Sequence, residues 1–138
     1  MKIFLSSRYS RREELCRYRD ELQAMGHTVT SRWLVTSWRE TDESGGSSAA
    51  PPEYRQEFAT KDMVDVECCD CLIAFNEEPR SGGRGGRHVE YGAALAMGKL
   101  LIVVGHRENI FHHHHRVHFY PTWEDAKASL ELKEASQR

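Results

Sequence analysis

The chain has 138 residues, the length of one ordinary domain, with 39% apolar and 29% charged positions, enough for a single core beneath a well-solvated surface. A formal charge of -2 excludes a general basic field for nucleic acid polymers, so any attraction to phosphate is local. No apolar run approaches the roughly 20 residues that span a bilayer, and Met1–Ser6 runs straight into Ser7-Arg8 without the apolar length or cleavage site of a signal peptide. The expectation is a cytoplasmic protein with no membrane partner.

Lys2-Ile3-Phe4-Leu5 is a short, continuous apolar run, as expected of a strand covered on both faces. Ser10 and Glu13 have the spacing of a capping box, Leu15, Tyr18, Leu22 and Met25 form an apolar stripe at helical spacing, and Gly26 sits where a helix stops. The alternation and β-branched residues of His27–Trp33 predict a second strand. Trp38–Pro52 is rich in Gly, Ser and Pro and predicts a polar loop. Glu53–Cys69 follows as a helix, with Phe58, Met63 and Val66 or Val64 inward.

Cys71–Phe75 predicts a third buried strand, Asn76–Gly86 a glycine-rich loop, Arg87–Met97 a helix ended by Gly98, and Lys99–Val104 a fourth strand. Val117–Tyr120 is a short fifth strand, and Thr122 is placed to cap a last helix. Strand–helix alternation implies one domain over residues 1–138, with a five-stranded parallel sheet in the order 2-1-3-4-5 covered by helices on both faces. Cys16, Cys68, Cys69 and Cys71 lack zinc-site spacing and are expected to be free thiols.

Parallel sheets bind ligands beyond the carboxyl ends of their strands. That rule gathers Ser6, Ser7 and Arg8, then Trp33, then the 76–86 loop, then Gly105 and His106, on one edge. The loop Ser81-Gly82-Gly83-Arg84-Gly85-Gly86-Arg87-His88 enters a helix, so its amides offer an anion site, and Arg84 and Arg87 add cations suited to phosphate. Its glycine spacing fits neither a dinucleotide fingerprint nor a P-loop. Glu90 falls in the first turn of the expected helix, where the dipole favours a carboxylate fit to attack an anomeric carbon. Asp62 and Asp65, on the preceding helix, offer a second carboxylate.

Asp62 with Asp70, a D-x7-D spacing, and Glu90-Tyr91-Gly92 after a glycine-rich loop resemble the nucleoside 2-deoxyribosyltransferases and the related 2'-deoxynucleoside 5'-monophosphate N-glycosidases. The resemblance runs from Lys2 to about Trp123. It implies a flavodoxin-like (Rossmann-like) three-layer α/β sandwich, with Glu90 as nucleophile and Asp62 as its catalytic partner. It also implies a homodimer or larger assembly whose subunits complete each other's sites. Ser7, Arg8, Trp33, Gly83, Arg84, Gly86, Arg87 and His88 are then the expected substrate contacts, with no metal and no cofactor.

Two positions depart from the family pattern. Arg84 stands where transferases carry an aspartate that helps handle the base, and Ile3 or Phe4 stands where relatives have a tyrosine. An arginine pair in the loop favours a nucleoside 5'-monophosphate over a nucleoside, while His88-Val89-Glu90 also occurs in relatives that hydrolyse cytidine monophosphates. The alternatives are a nucleotide-binding module without catalysis and a glycosidase acting on NAD. The run His112–His115 lies inside the chain and is read as native.

Overall fold

The most apolar runs of the chain, β1 (Lys2–Ser6), β3 (Cys71–Phe75) and β4 (Leu100–Val104), lie side by side in the middle of one sheet. The computed structural model describes residues 1–35, 52–81, 83 and 85–136. Trp38, nearly all of the expected 38–52 loop, and Arg84 lie outside those residues. β2 (Thr28–Val29) and β5 (Val117–Tyr120) form the two edges, so the order is 2-1-3-4-5 and every pairing is parallel. Parallel neighbours need crossovers: helices α1 (Arg12–Ala24), α2 (Pro52–Cys68) and α3 (Gly86–Ala96) alternate with β1–β4, a 3-10 turn at Ile110–His113 lies between β4 and β5, and α4 (Trp123–Ser136) follows β5.

Two apolar clusters flank the sheet. On one side Leu15 and Leu22 of α1 and Trp123, Ala126 and Leu130 of α4 pack on Ile3, Leu5, Ile73 and Phe75. On the other, Val66 of α2 and Tyr91 and Ala94 of α3 pack on Phe4, Leu72, Leu101 and Val103. Alternate residues of each strand thus enter opposite cores, and all five residues of β3 are buried. Truncating Leu22, fully buried, to alanine would cost about 2–5 kcal/mol.

Local differences from the sequence expectations have physical causes. The chain after β1 makes a 3-10 turn, Tyr9–Arg11, before α1, so Arg11 rather than Ser10 is the N-cap and supplies no side-chain cap. Gly26 does end α1, at φ +95. The second strand is only two residues long, because Arg32–Val35 coil into another 3-10 turn. That turn is tied down by Asp65, which accepts from the Arg32 backbone N–H at 3.0 Å and from its guanidinium at 2.9 Å. In α2, Val66 faces inward and Val64 is exposed. No helix among the described residues is long and apolar enough to cross a membrane.

Candidate active site

The carboxyl edge of the sheet is where side chains from separate elements meet. Ser6 ends β1, and its hydroxyl donates to Glu90 Oε1 at 2.8 Å, with a longer approach of 3.4 Å to the Arg87 carbonyl. The bond ties the end of a central strand to the helix that follows the glycine loop. Ser7, mostly buried, turns its hydroxyl onto the Arg8 carbonyl at 2.8 Å. Arg8 reaches the glycine loop: a methyl group built on Gly83 would sit 3.9 Å from Arg8 Nε. Thus the end of β1, through Ser6 and Arg8, meets Gly83 of the loop and Glu90 of α3.

Glu90 does not stand in the first turn of its helix. Gly85, at φ +86, is the N-cap, α3 begins at Gly86, and no acidic residue occupies its first turn. The helix dipole acts mainly within the first turn, and the Ser6 hydroxyl, donating at 2.8 Å, helps to orient the Glu90 carboxylate. The left-handed conformation of Gly85 suits glycine and strains any other residue.

Arg87 is not a free cation at the surface. Its side chain is 7% exposed and forms a two-pronged pair with Glu108, one contact between Nη1 and Oε1 and the other, at 3.1 Å, between Nη2 and Oε2. Glu108 lies in the segment after β4 and also accepts from the Glu77 backbone N–H at 2.7 Å. Burial pushes the Glu108 carboxyl up, but the bonds from Arg87 and from the Glu77 amide outweigh it and hold the carboxyl below its ordinary range. His88 Nε2 lies 3.1 Å from Arg87 Nη1 and 3.5 Å from Glu108. Burial and the Arg87 charge push the His88 pKa down, which favours a neutral ring with Nε2 accepting from the guanidinium.

The histidine run divides. His112 is 1% exposed, and its Nδ1 accepts from the backbone N–H groups of Glu108 and Asn109 at 3.0 and 3.1 Å. Burial, with His88 beside it, pushes His112 down to about 4. Tyr91 meets the His112 ring edge-on at 4.7 Å and donates its hydroxyl to the Phe111 carbonyl at 2.7 Å. His114 and His115 stack on each other at 4.4 Å.

Asp62 is half-buried on α2, one helical turn closer to the carboxyl edge than Asp65. Asp70, the other half of the D-x7-D spacing, sits at the opposite end of the sheet. Its carboxylate accepts from the Lys2 N–H at 2.9 Å, and its backbone N–H donates to the Lys2 carbonyl at 2.7 Å. Trp33 donates its indole N–H to the Leu5 carbonyl at 2.8 Å and packs against both apolar clusters, with the Tyr9 ring 6.0 Å away. On the α1–α4 side of the same edge a cavity of about 510 Å³ opens, lined in part by Arg11, Tyr18, Phe75, Asn76, His106 and Trp123. Glu90 is not part of its wall.

Glu108 is the residue that sequence reasoning passed over. The crevice rule reached Gly105 and His106, two residues short of it. An acidic side chain in a loop that leaves the sheet at this edge was the available signal.

This architecture is shared with solved structures. The CMP N-glycosidase BcmB of Clostridium botulinum matches with a TM-score of 0.57 at 23% identity, over 96% of this chain and 99% of that one. The 2-deoxyribosyltransferase of Bacillus psychrosaccharolyticus matches with a TM-score of 0.65 at 20% identity, over 91% and 90%. No family model and no curated protein sequence matches the chain. At these identities the likeness establishes the fold, a flavodoxin-like α/β sandwich shared along nearly the whole chain.

Proposed function

We propose that this protein cleaves the N-glycosidic bond of a nucleoside or a nucleoside 5'-monophosphate. The observation that carries the reading is the Glu90 carboxylate, held by the Ser6 hydroxyl at the carboxyl edge of the sheet behind a glycine-rich loop. Both structural neighbours bear names of enzymes that act on such bonds, which adds support from the shared fold.

In this reading a Glu90 oxygen bonds to C1' of the sugar as the C1'–N bond breaks, and the bonding pair leaves with the base. Asp62 positions the sugar or passes a proton to the departing base. Water then attacks C1', its proton passing to Asp62 or to the departed base, which frees the Glu90 carboxylate and releases the sugar; a second base in place of water gives transfer. Ser7, Arg8, Trp33, Gly83, Arg84, Gly86 and His88 surround the substrate. Arg84, in the loop, is the candidate phosphate contact, because Arg87 is engaged by Glu108.

The protein is proposed to work as a homodimer or larger assembly. Ile110 and Phe111, beside the site and 77% and 58% exposed, suit a subunit contact. Trp123, by contrast, is buried against Tyr18 and Phe75 and belongs to the core.

Chromatographic release of free base from a panel of nucleosides, 5'-monophosphates and NAD, with and without an added second base, tests the proposal. Base release from any nucleoside or monophosphate supports it. Binding without release throughout the panel points to a nucleotide-binding module, and release of nicotinamide alone points to an NAD glycosidase.

A further inference from the structure

Arg87 of α3 and the Glu77 amide after β3 form the kind of donor set that holds an oxyanion, a fixed guanidinium fork and a backbone N–H, with the His88 imidazole beside them accepting from the guanidinium. In this chain the seat is taken. Glu108 inserts its carboxylate, 8% exposed, with one oxygen on the Glu77 amide and both on the Arg87 guanidinium.

We propose that Glu108 is a positioning residue that fills this anion seat from within the chain, and so withholds Arg87 from any substrate phosphate. The inference refines the glycosidase reading, since it assigns the phosphate of a monophosphate substrate to groups other than Arg87.

Three features agree. The His112 imidazole accepts from the Glu108 backbone N–H, which fixes the approach of the Glu108 segment to α3. Glu77, whose amide completes the seat, is itself anchored, because its carboxylate pairs with Arg11 at 2.8 Å. Arg11 in turn grips Glu14 at 2.7 Å. The seat is therefore built by anchored neighbours, and Arg87 within it stands three residues before Glu90 on α3. A buried guanidinium without its carboxylate would draw in whatever anion fits.

The test is thermal unfolding of the full chain with sodium formate as the probe, against sodium chloride at equal ionic strength. Glu108→Ala empties the seat and should lower Tm. Formate should then raise it with the logarithm of its concentration, by about 5–10 °C at about 100 times its dissociation constant. The parent protein and Glu108→Gln, whose amide fills the space, should not respond. An equal formate response in all three proteins, or none in Glu108→Ala, overturns the proposal.

Should Glu108→Ala fail to fold, the comparison of Glu108→Asp with Glu108→Gln decides. An anion seat makes the shorter but charged Asp variant the more stable, whereas a purely space-filling role makes Gln at least as stable and refutes the idea. Neither readout needs turnover, so a failure of the glycosidase reading would leave this result standing.

Discussion

The Ser6 hydroxyl and the Glu90 carboxylate, 84 positions apart in the chain, meet at 2.8 Å and join the central strand β1 to helix α3. A hydrogen bond to a charged group contributes about 1.5–3 kcal/mol. If it aligns Glu90 for attack, Ser6→Ala should lower kcat for base release about 10- to 100-fold with a smaller change in KM. Unchanged kcat in a folded Ser6→Ala protein would show that the bond serves packing alone.

Glu90→Gln keeps the shape of the side chain and its capacity to accept from Ser6, but removes the attacking anion. Turnover should fall by about a thousandfold or more while calorimetry still detects substrate binding. Near-normal turnover would exclude Glu90 as the nucleophile.

Arg87→Met leaves the Glu108 carboxylate buried without its cation, an arrangement that costs about 3–5 kcal/mol in comparable sites. Denaturant unfolding should register the loss. The ratio of KM for a monophosphate to KM for the matching nucleoside should stay near that of the parent. A loss confined to monophosphates would instead place Arg87 on the phosphate.

His112 ties stability to pH. Its folded pKa, about 4, lies below the ordinary histidine value of about 6.5, so between these values the unfolded chain binds a proton that the folded chain refuses. Stability is therefore fully present above about pH 6.5 and is lost as pH falls toward 4, by about 3 kcal/mol in total. Replacing His112 with Asn should flatten that dependence in chemical unfolding at pH 4.5 and 7, even if it lowers stability at both. An unchanged slope would mean that another group governs the window.

Asp70 separates motif membership from chemistry. It bonds the Lys2 amide at the amino end of the sheet, remote from Glu90. Asp70→Ala should cost about 1 kcal/mol of stability and leave kcat and KM unaltered; Asp62→Ala should do the reverse. Equal kinetic losses from both would show that the D-x7-D spacing acts as one unit.

The central strand covered on both faces was legible from its apolar run, the expected limits of Cys71–Phe75 coinciding with β3, and those of the short edge strand Val117–Tyr120 coincide with β5. Helix starts were less legible. Ser10 and Glu13 satisfy a capping pattern, but the 3-10 turn at Tyr9–Arg11 moves the cap to Arg11. The expected second strand runs from His27 to Trp33, yet the buried Asp65, from another element, holds Arg32–Val35 as a turn. The same limit applies at the site. Glu90 stood out because its loop and helix are continuous in sequence, whereas its Ser6 partner and the Arg87–Glu108 pairing depend on contacts between distant segments.

The cysteines near the start of β3 carry a practical consequence. Burial raises the Cys69 thiol and pushes Cys71 up to about 12, so at pH 7 only about one Cys71 in a hundred thousand is thiolate. Cys68, the last residue of α2, is exposed, while Cys16 is half-buried and donates to the Leu34 carbonyl. Alkylating dyes should thus react with Cys68 first. That handle lies at the amino end of the sheet, about 16 Å of strand away from the Ser6 end, which lets a fluorophore report on the unmodified sequence without touching the chemistry at Glu90.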